Sequence, residues 1–188
     1  SILAADIQTM YRCGRLYELG YKPTETVLGA VTRTALERML VQHLLTPYPQ
    51  LILAVPAYVD AAIKYLDIRN TCTDEEVKRI YYQSGAFVTE LFTEFNHPVV
   101  FGPLPWKTKI SNTIITVPIS AVLGDLENKR LHIFYFNQYE KALDQLNDPT
   151  AALLSTAFKD LTYKSYELVI HSLSAITTAP FLIHKIVP

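Results

Sequence analysis

The chain changes its hydrophobic period near His97. Upstream, apolar residues recur at steps of three to five; downstream, β-branched and aromatic residues alternate or cluster. Side chains repeat every 3.6 residues on a helix and every two on a strand, so neither half can adopt the other's structure and still bury its apolar face. Pro98, Gly102, Pro103 and Pro105 interrupt helix at the boundary. The expected fold is therefore α+β or α/β: a helical N-terminal half, a three-strand meander, then a helix and two further strands that complete a mixed sheet. At 188 residues, the chain fits a single domain, 1–188.

Within the helical half, Val27, Val31, Leu36, Leu40 and Leu44 follow Pro23 and Thr24, which predicts a helix over 25–45. Ile7, Met10, Tyr11 and Leu16 share a broad face, predicting an earlier helix over 2–19 that Gly20 can close. Pro56 suits the start of a helix over 57–66. Thr73 and Glu76 form a capping box ahead of Val77, Ile80, Tyr81, Phe87, Val88, Leu91 and Phe92. In the β half, strands are expected at 106–111 and 114–122 around an Asn112-Thr113 turn. LGDLENK reads as the next turn, before a strand at 130–136. Pro118 cannot donate to a ladder, which predicts an edge or a bulge near it. A helix is expected within 139–161, with Asp148-Pro149 able to start its second part, and strands at 166–173 and 181–187.

Charge and cysteine content narrow the function. Seventeen Lys and Arg against 18 Asp and Glu give no global cationic field, so any nucleic-acid surface must be local. Two cysteines, Cys13 and Cys72, are too few for a disulfide framework or a four-cysteine metal site and read as reduced, structural thiols. No apolar run approaches the roughly 20 residues that span a bilayer. The first residues lack a basic region followed by an apolar stretch, so an intracellular, cytoplasmic setting is expected. There is no phosphate-cradling GxxxxGK[ST], no GxGxxG and no GxSxG. His43, His97, His132, His171 and His184 show no HExxH spacing and have no cysteine cluster nearby, so they read as surface or core residues. No cofactor and no metal ligand set is expected.

The order of segments carries the functional lead. YRCGRLYELGY, LGAVTRTALERML, IITVPISAVLGD and NKRLHIFYFNQ, followed by a helix and two strands, resemble the RecB-like branch of the PD-(D/E)XK nuclease superfamily. The resemblance implies a restriction-endonuclease-like fold. It also implies a glycine with a metal-binding histidine four residues later, then GxxD on a hairpin and (D/E)xK on the next strand. The matching positions are Gly29 and Arg33, Val117 and Ser120, then Tyr135 and Asn137. Ser120 and Tyr135 cannot replace two ionised carboxylates at a Mg²⁺ site, Asn137 lacks the positive charge of lysine, and Arg33 puts a cation where an imidazole ligand belongs. The expectation is a pseudoenzyme with no catalytic residues. It would serve as a structural or interaction component among protein partners in a larger assembly, virion-associated if that assembly is viral or phage.

Two alternatives keep other chemistry. Asp125, Glu127 and Lys129 imitate a D…ExK signature and would make an active Mg²⁺-dependent nuclease, although all three fall within five residues of a predicted turn. Arg12, Arg15, Lys22 and Arg33, with Lys107, Lys109, Lys129 and Arg130, offer phosphate contacts for a nucleic-acid-binding protein that does not cleave. Tyrosines such as Tyr11, Tyr17, Tyr21, Tyr81 and Tyr82 can stack on bases or anchor an interface, and core packing accounts for most of them. Trp106, beside Pro103 and Pro105, can close a hydrophobic edge.

Overall fold

Helix α1 (Val27–Gln42) starts where Thr26 turns its side chain back to accept from the Gly29 N–H at 3.1 Å. In this computed structural model the described residues are 2–3, 7, 18–20, 25–43, 48–136 and 166–173. Val31, Ala35, Leu36, Met39 and Leu40 form the buried stripe of α1. Helix α2 (Tyr48–Tyr65) corrects the expected start at 57, because it runs straight through Pro56. Pro56 lies on the exposed side, while Leu51, Val55, Val59, Ala62 and Ile63 keep one continuous buried stripe. Burial along that stripe outweighs the one lost backbone bond. Helix α3 (Asp74–Glu94) carries the expected capping box: the Thr73 N–H donates to Glu76 at 2.8 Å and the Glu76 N–H to Thr73 at 3.3 Å. Thr32 on α1 and Ser84 on α3, both fully buried, share a hydrogen bond of 2.9 Å.

The helices pack on one another and on one face of a mixed four-stranded sheet in the order β2 (Val99–Phe101), β5 (Ala121–Asp125), β6 (Arg130–Phe136) and β7 (Glu167–Leu173). Strand β5 is antiparallel to β2 and β6, and β7 is parallel to β6. Val99, Ala121, Leu123, Phe134 and Leu173 meet the helices in the main core. A second sheet has the order β1 (Ile2–Leu3), β4 (Thr113–Ile119), β3 (Leu104–Ile110). Its Ile115, Val117 and Ile119 pack with Val122, Leu131, Ile133, Tyr135, Leu168 and Ile170 in a second apolar cluster, on the face of the four-stranded sheet away from the helices.

Several boundaries depart from the sequence reading. Ile2 and Leu3 belong to a strand beside Ile115 and Thr116 and not to a helix over 2–19, because the open side of β4 offers them ladder partners. The first hairpin turns at Ser111-Asn112, one residue earlier than expected, with Ile110 and Thr113 closing the ladder and Ser111 at φ 53°. Strand β2 is short and lies among prolines, so periodicity does not reveal it. Asp125 ends a strand and is buried; the turn begins only at Leu126.

The expected strand over 114–122 is two strands joined by a bulge. Phe134 pairs with Ala121, yet its carbonyl also accepts the Ser120 N–H at 2.8 Å, so two residues stand opposite one. The alternation slips there: Ile119 faces the second cluster, whereas Ala121 faces the helices. Pro118, expected near an edge or bulge, is two residues before it and opposite Pro105. The described β1 partners of β4 end at Thr116, so that rung is open on its other side. The observed strand at Glu167–Leu173 matches the expected 166–173 closely. The expected helix within 139–161 and strand at 181–187 lie outside the described residues.

Candidate functional site

The bulge delivers Ser120 to α1. Its hydroxyl donates to Glu37 at 3.1 Å, and Ser120 itself is buried. The other Glu37 oxygen accepts from Arg33 Nη1 at 3.2 Å. Arg33 then makes a two-pronged contact with Glu25, Nε to Oε1 at 2.8 Å and Nη2 to Oε2 at 2.9 Å. One turn of helix sets this spacing, because residues 33 and 37 are neighbours on a single face. Gly29 leaves room for it: a Cβ there would lie 3.1 Å from the capping Thr26 oxygen and 3.4 Å from Glu25 Cγ.

Two carboxylates flank one guanidinium, and the charges answer one another. Hydrogen bonds from Arg33 to Glu25 hold the guanidinium above its already high ordinary range, with burial opposing. Burial pushes the Glu37 carboxyl up; the charge of Arg33 and the Ser120 hydrogen bond pull it back. Beside this network an open groove of about 490 Å³ is lined by Glu37, Arg38, Val41, Gln42, Tyr58 and Pro103 among others.

The structure thus brings together Arg33 and Ser120, with Gly29 at the start of the same helix. Tyr135 is elsewhere: it is 2% exposed, in the cluster on the far side of the sheet from Ser120. Asn137 lies outside the described residues, as do Arg12, Arg15 and Lys22. Lys107 and Lys109 are exposed at alternate positions on β3. Arg130 is ion-paired with Glu167. Lys129 is exposed in the 126–129 turn with φ 51°, near the exposed Glu127. Asp125 does not converge with these two. Its oxygens accept instead from Asn128, the backbone N–H at 3.1 Å and the side-chain amide at 2.8 Å, and those bonds hold the carboxyl below its ordinary range.

Two features escape a linear reading. Glu37 carries no motif, and only its four-residue spacing from Arg33 hints at the pairing. The histidines are scattered in sequence, but His97, Asp125 and His132 each bring a ligand atom within 4.8 Å of the others'. Alternation in 130–136 and 166–173 puts His132 and His171 on faces of neighbouring strands, yet their contact depends on register.

No protein-family model matches this sequence, and no curated protein matches it. Among the described residues, no helix is long and apolar enough to cross a membrane.

Proposed function

We propose that this chain is a nuclease-like domain without catalysis, of restriction-endonuclease-like architecture, acting as a structural or interaction component of a larger assembly. One observation carries the reading: where the resemblance calls for a metal-binding acid and an imidazole, Ser120 and Arg33 are tied to Glu37 in a hydrogen-bonded network that also engages Glu25. Both Glu37 oxygens are engaged, and Tyr135 is turned to the opposite face, so these positions do not assemble the paired carboxylates of a Mg²⁺ centre. The β3–β4 hairpin, the β5–β6 pair and a strand parallel to β6 follow one another in the expected order, although they lie in two sheets where a three-strand meander in one mixed sheet was expected. The groove beside the network, with Val41 58% exposed at its edge, supplies surface for a protein contact.

The test is cleavage of single- and double-stranded DNA and RNA by purified protein in Mg²⁺ and in Mn²⁺. No cleavage is expected. Metal-dependent cleavage that disappears in Glu37→Gln or Asp125→Ala would overturn the reading. Binding of nucleic acid without cleavage has less support, since Arg33 and Arg130 are already paired with acids. It requires affinity that falls steeply with added salt, and Lys107→Ala with Lys109→Ala should weaken it.

A further inference from the structure

Three imidazoles lie in a row under the end of α3. The His97 and His132 rings stack with centroids 5.3 Å apart and planes 9° apart, and His132 continues to His171 at 5.2 Å. His171 is fully buried against Phe95 and Phe134, whereas the His97 side chain is 29% exposed. At the open end of the row, His97 Nε2 is 3.9 Å from Asp125 Oδ2. That is too long for a hydrogen bond. It suits two atoms sharing one ion, since bonds of about 2.0–2.2 Å separate two ligands by at most about 4.2 Å.

The backbone holds these groups on three elements. Leu123 pairs with His132 and Asp125 with Arg130 across β5 and β6. The Gly124 N–H donates to the Pro98 carbonyl at 3.0 Å, which ties the segment carrying His97 to β5. The supporting contacts are also those of a metal site. His132 Nδ1 lies 2.9 Å from His171 Nε2, a contact that fixes the orientation of the ring. Asn128 holds the Asp125 carboxylate in the same manner.

We propose that His97, Asp125 and His132 bind one divalent transition-metal ion, zinc foremost, with His171 and Asn128 orienting two of the ligands and solvent completing the shell. Two nitrogens and one carboxylate oxygen favour zinc, cobalt or nickel over Mg²⁺ and Ca²⁺, which prefer all-oxygen sites. The atoms lie up to 4.8 Å apart, so closure on an ion needs a movement of roughly 1 Å, which His97, in the segment between α3 and β2, can supply. The proposal stands apart from the nuclease-like reading, which concerns α1 and the bulge.

Zinc titrated into tag-free, chelator-treated protein by calorimetry tests it, with cobalt absorption as a second probe. The expected result is one ion per chain. His97→Ala and Asp125→Asn should each weaken binding at least tenfold, and His171→Ala by about 10–100-fold. His43→Ala, at the C-terminal cap of α1 and outside the cluster, should leave it unchanged. Affinity should fall as pH is lowered, because protons compete with the ion for imidazole. His97 is partly exposed and outside any helix or strand, so His97→Ala should retain the wild-type circular dichroism and a full readout. Absence of zinc binding, or one-to-one binding that survives His97→Ala at undiminished affinity, would refute the site.

Discussion

Replacing Arg33 by Met keeps most of the aliphatic stem and removes the charge that joins Glu25 to Glu37. The lost contacts are the paired hydrogen bonds to Glu25 at 2.8 and 2.9 Å and the bond to Glu37 at 3.2 Å. The Arg33 side chain is 36% exposed, so solvent screening leaves this pairing worth about 1 kcal/mol. The Glu37 side chain is only 24% exposed and would keep Ser120 alone as donor, adding about 1 kcal/mol for a carboxylate without its cation. The total is about 2 kcal/mol near neutral pH. Arg33→Met with Glu37→Gln removes the stranded charge and should lose only about 1 kcal/mol. The pH dependence has a definite sign. Burial already raises the Glu37 pKa, and losing Arg33 raises it further. A group whose folded pKa lies above its unfolded value favours folding at low pH and loses that contribution as pH rises through the folded pKa. The deficit of Arg33→Met should therefore be widest near neutrality and narrow toward about pH 5. Urea unfolding of the three proteins at both pH values measures this. A double variant no more stable than Arg33→Met, or a deficit that does not change with pH, would refute the assigned role of Glu37.

Thr73→Ala removes half of the capping box and should cost about 1 kcal/mol, seen as a melting temperature lower by about 2–4 °C. The Thr73 backbone N–H, and then its hydroxyl, hold the Glu76 carboxyl below its ordinary range. That contribution is present at neutral pH and lost as pH falls through the lowered pKa, so the variant should differ least from wild type in acid. At Gly124 an added Cβ would lie 2.7 Å from Val100 Cγ2, so Gly124→Ala should cost about 1–3 kcal/mol. Val100→Ala in the same chain should recover part of it in thermal melts. A Gly124→Ala protein as stable as wild type would contradict the close approach of β2 to β5.

What the sequence made legible depended on how local each determinant was. The capping box needs four consecutive residues, and α3 begins where Thr73 and Glu76 indicate. The change of period at His97 falls between the last helix of the helical half and β2. By contrast, Pro56 reads as a helix start because local rules weigh its missing N–H, whereas the buried stripe that carries α2 across it begins five residues upstream, at Leu51. Ile2 and Leu3 form a strand only because β4, more than a hundred residues later, lies beside them. The site follows the same division. Arg33 and Ser120 were both singled out by position, but the residue that joins them, Glu37, offers no signature of its own. The His97, Asp125 and His132 group is drawn from a connecting segment and two strands, so its members become neighbours only once the β5–β6 register is set.

The Ser120 bulge links these outcomes. Without the extra residue, strict alternation would keep Ile119, Ala121 and Leu123 on one face. With it, Ile115, Val117 and Ile119 can cover the outer cluster while Ala121 and Leu123 enter the helical core. The same slip points Ser120 and Ala121 both toward the helices, which lets Ser120 reach Glu37. Two-residue counting carried through 114–122 crosses this point without noticing it, so face assignments made on one side do not transfer to the other. Tyr135 illustrates the cost: it neighbours Phe134, the residue opposite the bulge, yet faces away from Ser120. One inserted residue thus carries the chain from the outer cluster into the helical core, and it also decides which polar side chain stands opposite α1.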